Sequence, residues 1–276
     1  MDQKERLRYL TSQFIKDSEQ YSGLTVPENP EEQRALLRSL MNIRMPHPMD
    51  TQVLRIQDEY LREHNRENGI VSLSDIPSCA SCGSTVPHAS QIHLWQGDIT
   101  RLAADAIVNA ANSQMLGCFI PMHACIDNCI HTYAGIQLRA ECARQMRQLR
   151  KQYGNDYEQP VAVPMLTGGY NLPAEHVIHV TGPIVTGRLT RENEQQLSDC
   201  YRNVMNMCVE HDLHSVAFCC ISTGVFRFPN RRAAEIAAET VTEWLQEHPG
   251  YDIHVIFNVF KDEDRQYYEE VLYNEH

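Results

Sequence analysis

Cys118, His123 and Cys125 stand in a C-x4-H-x-C spacing inside the stretch from Gly117 to His131, and Asp127 follows two residues later. Two thiolates and an imidazole set this closely suit a single zinc ion. Three protein ligands leave a fourth coordination position open, as in zinc that does chemistry rather than zinc that staples a fold. With ten Cys and 13 His in the chain, chance clustering is the competing account. The cluster sits in a loop between Asn109-Ala110-Ala111-Asn112 and a helical pattern, which favours the metal, and the expectation is one Zn2+ per chain.

Other residues suggest what such a metal would work on. Asp127 opens a helical stretch, so its carboxylate can cap that helix, orient water or substrate near the metal, or do both. Asp98 follows Gly97 and reads either as a turn residue or as an acceptor for an adenine amino group. Asn109 and Asn112 read either as strand-end turn formers or as amides bracketing a ribose. Ser222-Thr223-Gly224-Val225-Phe226 joins an apolar strand to a helix, a turn that aims backbone N–H groups at an anion. Phe226 is either core or an aromatic packed on a sugar face. Taken singly, each of these is explained as well by local structure. Cys79-Ala80-Ser81-Cys82 is a C-x2-C pair with no matching second half, and it reads as reduced thiols, exposed or packed. Cys129, His131 and Cys142 read as helix-surface or core residues rather than ligands.

The elements that must hold these residues fall into three segments. Residues 1–75 are helical and polar: Leu7, Leu10, Phe14 and Ile15 recur at helical spacing, the pattern breaks at Gly23 and Pro27, and it resumes over Glu31–Met45 and Thr51–His64 with Pro46 and Pro48 between. Residues 76–90 are rich in Ser, Pro and Cys and read as a linker. Residues 91–276 alternate strands with helices. Strands are expected at Ile92–Trp95, Ala106–Val108, Val161–Leu166, His176–Val180, Ser215–Ile221 and Ile253–Phe260. Helices are expected at Asp127–Leu149, Glu192–His211, Asn230–Glu247 and Asp262–Tyr273. This alternation argues a three-layer α/β/α domain with a mixed, mostly parallel sheet, whose ligands bind beyond the carboxyl ends of the strands.

Composition narrows the partners. A net charge of −12 argues against gripping nucleic acid through its phosphates, whereas backbone N–H groups bind a phosphate-bearing small ligand without net positive charge. No apolar run approaches membrane-spanning length, and the opening Met1-Asp2-Gln3-Lys4-Glu5-Arg6 lacks the order of a secretory signal. The expectation is a cytoplasmic monomer with reduced thiols and no membrane partner.

In order, Gly97–Thr100, Ala106–Asn112, Asp127–Gly135, Thr167–Pro173, His176–His179 and Ser222–Phe226 resemble the macrodomain family of ADP-ribose-binding modules, over about residues 90–276. Where many macrodomain hydrolases carry a glycine run, this chain has Cys118 to Cys125. That resembles the zinc-containing microbial subclass of protein-ADP-ribose hydrolases, which carry a helical N-terminal extension. The resemblance implies that Asp98 takes the adenine amino group, with the Ile99 N–H assisting. It implies that Ser222, Thr223, Gly224, Val225 and Phe226 hold the diphosphate. Asn112 would hold the distal ribose, Asp127 would act with it as the catalytic pair, and zinc would sit at the anomeric end. The implied reaction is hydrolysis of mono-ADP-ribose from a modified protein side chain. A non-catalytic ADP-ribose reader with structural zinc, and a deacylase of O-acyl-ADP-ribose, stand as alternatives.

Overall fold

The computed structural model describes residues 1–273, so the last three positions of the 91–276 segment lie outside the described residues. The chain divides into two compact units, each built from separate stretches of sequence. One comprises Met1–Ile70, Gln114–Tyr157 and Gly169–Leu172; the other comprises Val71–Ser113, Glu158–Gly168 and the chain from Pro173 onward. The thiol–imidazole stretch and the helical sequence after it therefore group with the N-terminal helices.

The first unit is helical. It holds α1 (Gln3–Asp17), α2 (Pro30–Ile43), α3 (Thr51–Glu67), α4 (Ile126–Ala134) and α5 (Ile136–Tyr153). Local signals fix the starts. Asp2 and Glu5 form a reciprocal capping box on α1, Asn29 caps α2 ahead of Pro30, and Asp50 accepts from the Gln52 and Val53 N–H groups of α3. The apolar stripes of α1–α3 meet in a core that includes Leu10, Phe14, Leu37, Leu40, Val53 and Ile56. The single helix expected over Asp127–Leu149 is two helices. Gly135, at φ +94°, separates α4 from α5, and a Cβ there would stand 2.8 Å from Gln57 Nε2 and 2.9 Å from Gln137 Oε1.

Arg139 of α5 ties this unit together. Its Nη1 donates to the carbonyls of Met41 (3.0 Å), Asn42 (2.8 Å) and Arg44 (2.7 Å), satisfying the otherwise open C-terminal end of α2. Burial pushes the guanidinium down to about 10, partly offset by the Asp127 carboxylate, so it stays charged at neutral pH. Arg44 is in turn held by Asp17 of α1 at 2.7 Å.

The second unit contains β1 (Val71–Ser72), β2 (Ile92–Gln96), β3 (Leu102–Ala103), β4 (Ala106–Ala110), β5 (Met165–Gly168), β6 (His176–Val180), α6 (Arg191–Glu210), β7 (Ser215–Phe218), α7 (Asn230–Glu247), β8 (His254–Val259) and α8 (Asp262–Tyr273). Six strands form a sheet in the order β2-β8-β7-β4-β6-β5, while β1 pairs with β3. All neighbours in the large sheet are parallel except β5, which runs antiparallel to β6 at the edge. This is the mixed, mostly parallel sheet that the alternation of strand and helix patterns implies. Apolar β4, β7 and β8 lie in its interior, as strands buried on both faces must.

Three expectations shift. The strand expected over Val161–Leu166 is Met165–Gly168 instead, because Pro160 and Pro164 remove ladder donors and Ala162 turns the chain at φ +63°. The strand expected to reach Ile221 stops at Phe218. Residues 76–90 carry ordered structure of their own: the Cys79 N–H donates to Ile92 O at 2.7 Å and the Ala80 N–H to Ala89 O at 3.0 Å.

Inside the sheet, His179 on β6 lies in register with Asn109 on β4. The Asn109 amide donates to Nδ1 at 3.0 Å, so Nε2 carries the proton and donates to Thr167 Oγ1, also at 3.0 Å. This chain links β4, β6 and β5 across a fully buried imidazole, and burial pushes its pKa down to about 3.

Two predictions follow from these buried polar groups. His179 is neutral when folded but takes a proton near pH 6.5 when unfolded, so its contribution to stability is whole above that pH. The contribution is lost as pH falls from about 6.5 toward 3, by up to ~1.4 kcal/mol per pH unit. Chemical denaturation should show wild type losing stability faster than His179→Gln between about pH 6 and pH 4; a pH-independent difference would contradict the assignment. Arg139→Met leaves several carbonyls unpaired and should cost roughly 3 kcal/mol or more. An unchanged melting temperature would show that water replaces the guanidinium.

Candidate functional site

Cys118, His123 and Cys125 converge in the first unit. Cys118 Sγ lies 3.4 Å from His123 Nδ1, and the three donor atoms all lie within 4.8 Å of one another. A tetrahedral zinc with Zn–S and Zn–N bonds of ~2.3 and ~2.0 Å needs donors roughly 3.5–3.8 Å apart, so the cluster is close to coordinating geometry. Burial, with smaller contributions from Cys118 and Asp127, pushes the Cys125 thiol up to about 12. A partly buried thiol such as Cys125 gives up its proton most readily when a cation binds, and two soft sulfurs with one imidazole fit zinc.

The loop carrying these donors has no helix or strand between Ala110 and Ile126, so polar clamps give it its shape. Arg38 of α2 donates through Nη2 to His123 O (3.1 Å) and Asn128 Oδ1 (2.9 Å). Asn128 passes the restraint on, donating from Nδ2 to Ile120 O at 2.9 Å. Asn42 accepts from the Met122 N–H at 3.1 Å and donates to Thr132 Oγ1 at 2.9 Å. Arg139 donates through Nε to Leu116 O at 2.7 Å, and its guanidinium lies 4.3 Å from the centre of the Phe119 ring. Gly117 permits the close approach of α4: it sits at φ +80°, and a Cβ there would meet the His131 ring at 2.8 Å. These clamps lie outside the metal motif, and a sequence reading focused on Cys and His passes over them.

Asp127 is buried in the first turn of α4. The helix cap is Cys125, whose sulfur accepts from the Asn128 N–H at 3.4 Å, so the carboxylate is not the capping group. Its Oδ1 stands 3.6 Å from His131 Nε2, one helical turn on. His131 and Cys142 are buried, whereas Cys129 is half-buried.

The remaining sequence-predicted residues lie in the second unit, at the carboxyl ends of the parallel strands. There the ligand groove of such sheets is found. Asp98 and Ile99 follow β2, Asn112 follows β4, and Ser222–Phe226 follows β7. Asp98 Oδ1 accepts from the Thr100 N–H (3.0 Å) and Oγ1 (2.7 Å), which orients the carboxylate and leaves Oδ2 for a ligand. Asn258 of β8 holds this turn by donating to Gly97 O at 2.9 Å. Asn109, weighed above as a ribose bracket, is fully buried and directs its amide N–H into the sheet at His179.

After β7 the chain makes a tight cradle. Ser222 takes a left-handed conformation, φ +65°, and is closed by the Phe228 N–H donating to Ser222 O at 3.0 Å and the Arg227 N–H to Gly224 O at 3.1 Å. The N–H groups of Gly224, Val225 and Phe226 donate to no group among the described residues, and Val225 is 72% exposed. A run of unspent donors ahead of a helix is chemically suited to an anion. Two features were missed in the sequence. Gly182, after β6, lets that loop approach the cradle: a Cβ there would stand 2.1 Å from Ser222 Oγ. Phe260, 74% exposed at the exit of β8 beside β2, offers an aromatic face at the Asp98 end.

Known proteins resemble this chain in sequence and fold. The family model described as Macro domain matches residues 108–237. The protein-ADP-ribose hydrolase of Treponema medium is 43% identical over 272 residues, covering 99% of this chain and 100% of its own. Two solved structures share the fold. The Oceanobacillus iheyensis macrodomain with ADP has a TM-score of 0.57 at 33% identity and covers 65% of this chain and 88% of its own. The Trypanosoma brucei macrodomain in complex with ADP-ribose has a TM-score of 0.62 at 27% identity and covers 84% and 94%. With a near full-length relative at that identity, and with macrodomain structures sharing its fold, the chain belongs to the macro domain family.

Proposed function

We propose that this protein is a zinc-dependent hydrolase that removes mono-ADP-ribose from modified protein side chains. The observation that carries this reading is the Cys118–His123–Cys125 cluster, held near coordinating geometry in a chain that aligns end to end with a protein-ADP-ribose hydrolase. A strand-end groove with an oriented carboxylate and a cradle of unspent N–H donors supports the ADP-ribose half of the reading.

The residues divide by task. Asp98 accepts the adenine amino group and the Ile99 N–H assists. The Ser222, Thr223, Gly224, Val225 and Phe226 loop surrounds the diphosphate, and the backbone N–H groups of Gly224, Val225 and Phe226 neutralise it without a basic patch in an acidic protein. Asn112 positions the distal ribose, and Asp127 is the carboxylate at the reacting end. Buried in the first turn of α4, the Asp127 carboxylate is suited to hold an attacking water or take its proton. Cys118, His123 and Cys125 would hold one zinc, which when bound would supply a Lewis acid. Assigning both clusters to one substrate rests on the full-length relative, and separate substitutions in each cluster test it. In this reading residues 1–75 are a helical extension serving the metal loop, residues 76–90 a connection, and residues 91–276 the ADP-ribose-binding domain of a cytoplasmic monomer.

Purified protein should carry about one zinc per chain, and Cys118→Ala, His123→Ala or Cys125→Ala should remove most of it. Full zinc in the Cys125→Ala protein would overturn the ligand assignment. With a mono-ADP-ribosylated protein as substrate, Asp98→Ala should chiefly raise KM, because nothing reacts at the adenine end. Asp127→Ala should lower kcat by roughly a hundredfold or more while ADP-ribose binding, read by calorimetry, persists. Wild-type protein that binds ADP-ribose but releases none would establish a reader instead. Preference for free O-acyl-ADP-ribose over modified protein would establish a deacylase.

A further inference from the structure

The pair Cys79 and Cys82 takes no part in the function above, yet it is built into a specific place. Cys79 is buried and Cys82 is exposed. The Cys82 N–H donates to Cys79 O at 3.1 Å, closing a 3-10 turn over Ala80–Cys82, and Gly83 turns the chain out at φ +90°. In a 3-10 turn the side chains at i and i+3 eclipse one another. The Cα atoms across such a closed turn lie less than about 7 Å apart, which overlaps the 4.4–6.8 Å span a disulfide needs.

The end of α8 meets this turn. Tyr273 O–H donates to Cys79 Sγ at 3.5 Å, and Ser84 Oγ donates to Leu272 O. Both sulfurs act on the Tyr273 hydroxyl, whose pKa is raised by burial and then by Cys79 and Cys82. A metal reading fails here, because among the described residues no third Cys, His or carboxylate ligand joins the pair. One exposed thiol backed by one buried thiol is instead the arrangement of an attacking and a resolving cysteine.

We propose that Cys79 and Cys82 are a redox modification site that closes to an intramolecular disulfide, the oxidant being a low-molecular-weight disulfide, R–S–S–R. The exposed Cys82 thiolate attacks one sulfur of R–S–S–R; that S–S bond breaks, and the first R–S⁻ leaves and takes up a proton. The mixed disulfide on Cys82 is then attacked by Cys79, which gives up its own proton, and the second R–S⁻ departs from Cys82 and is protonated. The two protein thiols lose two electrons and two protons, and R–S–S–R becomes two R–SH. Burial pushes the Cys79 thiol up, and the Tyr273 hydroxyl donating to its sulfur offsets part of that rise. The product exchanges the Tyr273–thiol contact at the end of α8 for an S–S bond.

The test uses the full chain, with its metal as purified, treated with glutathione disulfide and read by intact mass and by peptide mapping without reduction. Wild type should lose two hydrogens, carry no glutathione, and yield one peptide with Cys79 joined to Cys82; dithiothreitol should restore the starting mass. Cys79→Ser should instead retain one glutathione on Cys82, and Cys82→Ser should stay unmodified at this turn. The wild-type measurement needs no variant to fold. A wild-type chain that keeps glutathione on Cys82, or that leaves both thiols free, would overturn the proposal. Mapping also identifies a bond between Cys118 and Cys125, so failure of the metal assignment is read separately.

Discussion

Two thiols and an imidazole must be kept together in a loop that has no backbone ladder of its own. Without a cation the arrangement is costly: burial holds the Cys125 thiol protonated, and close donors compete for the same space. A bound divalent ion reverses each of these effects, which is why the donor set points to a metal. Side chains from the helices hold the loop in shape. Arg38 and Asn42 of α2 and Arg139 of α5 grip the loop at Leu116, Met122 and His123, and Asn128 of α4 grips it at Ile120. The helical extension therefore has a concrete task, since α2 supplies two of these clamps.

The second unit meets a different constraint. A diphosphate has to be held in a protein of net charge −12. Backbone donors solve this where side-chain cations are scarce, and they have to be freed from secondary structure to do it. The left-handed Ser222 and the two closing hydrogen bonds bend the chain so that three consecutive N–H groups stay unspent ahead of α7. The sheet beneath is stiffened by the Asn109–His179–Thr167 chain, which gives the strand ends a fixed base. Asn109 thus does structural work at a position where a sequence motif suggests ligand contact.

Much of this is legible in the residues. The runs at Ala106 and Ile253 follow from the continuous apolar character of central parallel strands, and those at Ile92 and His176 and the helices between follow from periodicity. The C-x4-H-x-C spacing marks the donors directly. What stays hidden depends on distance in three dimensions. Gly135 splits a helical pattern that looks continuous, since the crowding by Gln57 and Asn171 comes from remote sequence. The grouping of residues 114–157 with the first seventy is likewise invisible, because it rests on carbonyl contacts made by Arg139 and Arg38. Phe260 and Gly182 stay hidden because a lone aromatic or glycine carries no periodic signal.

The central claim is that the first unit's donor cluster binds the ion on which release of ADP-ribose depends. The most direct measurement strips the metal, adds zinc back in fractional steps, and records bound zinc and single-turnover release of ADP-ribose from a modified protein in the same samples. The account predicts that release rises in proportion to occupancy and levels off at about one zinc per chain. Full-rate release from metal-free protein would contradict it.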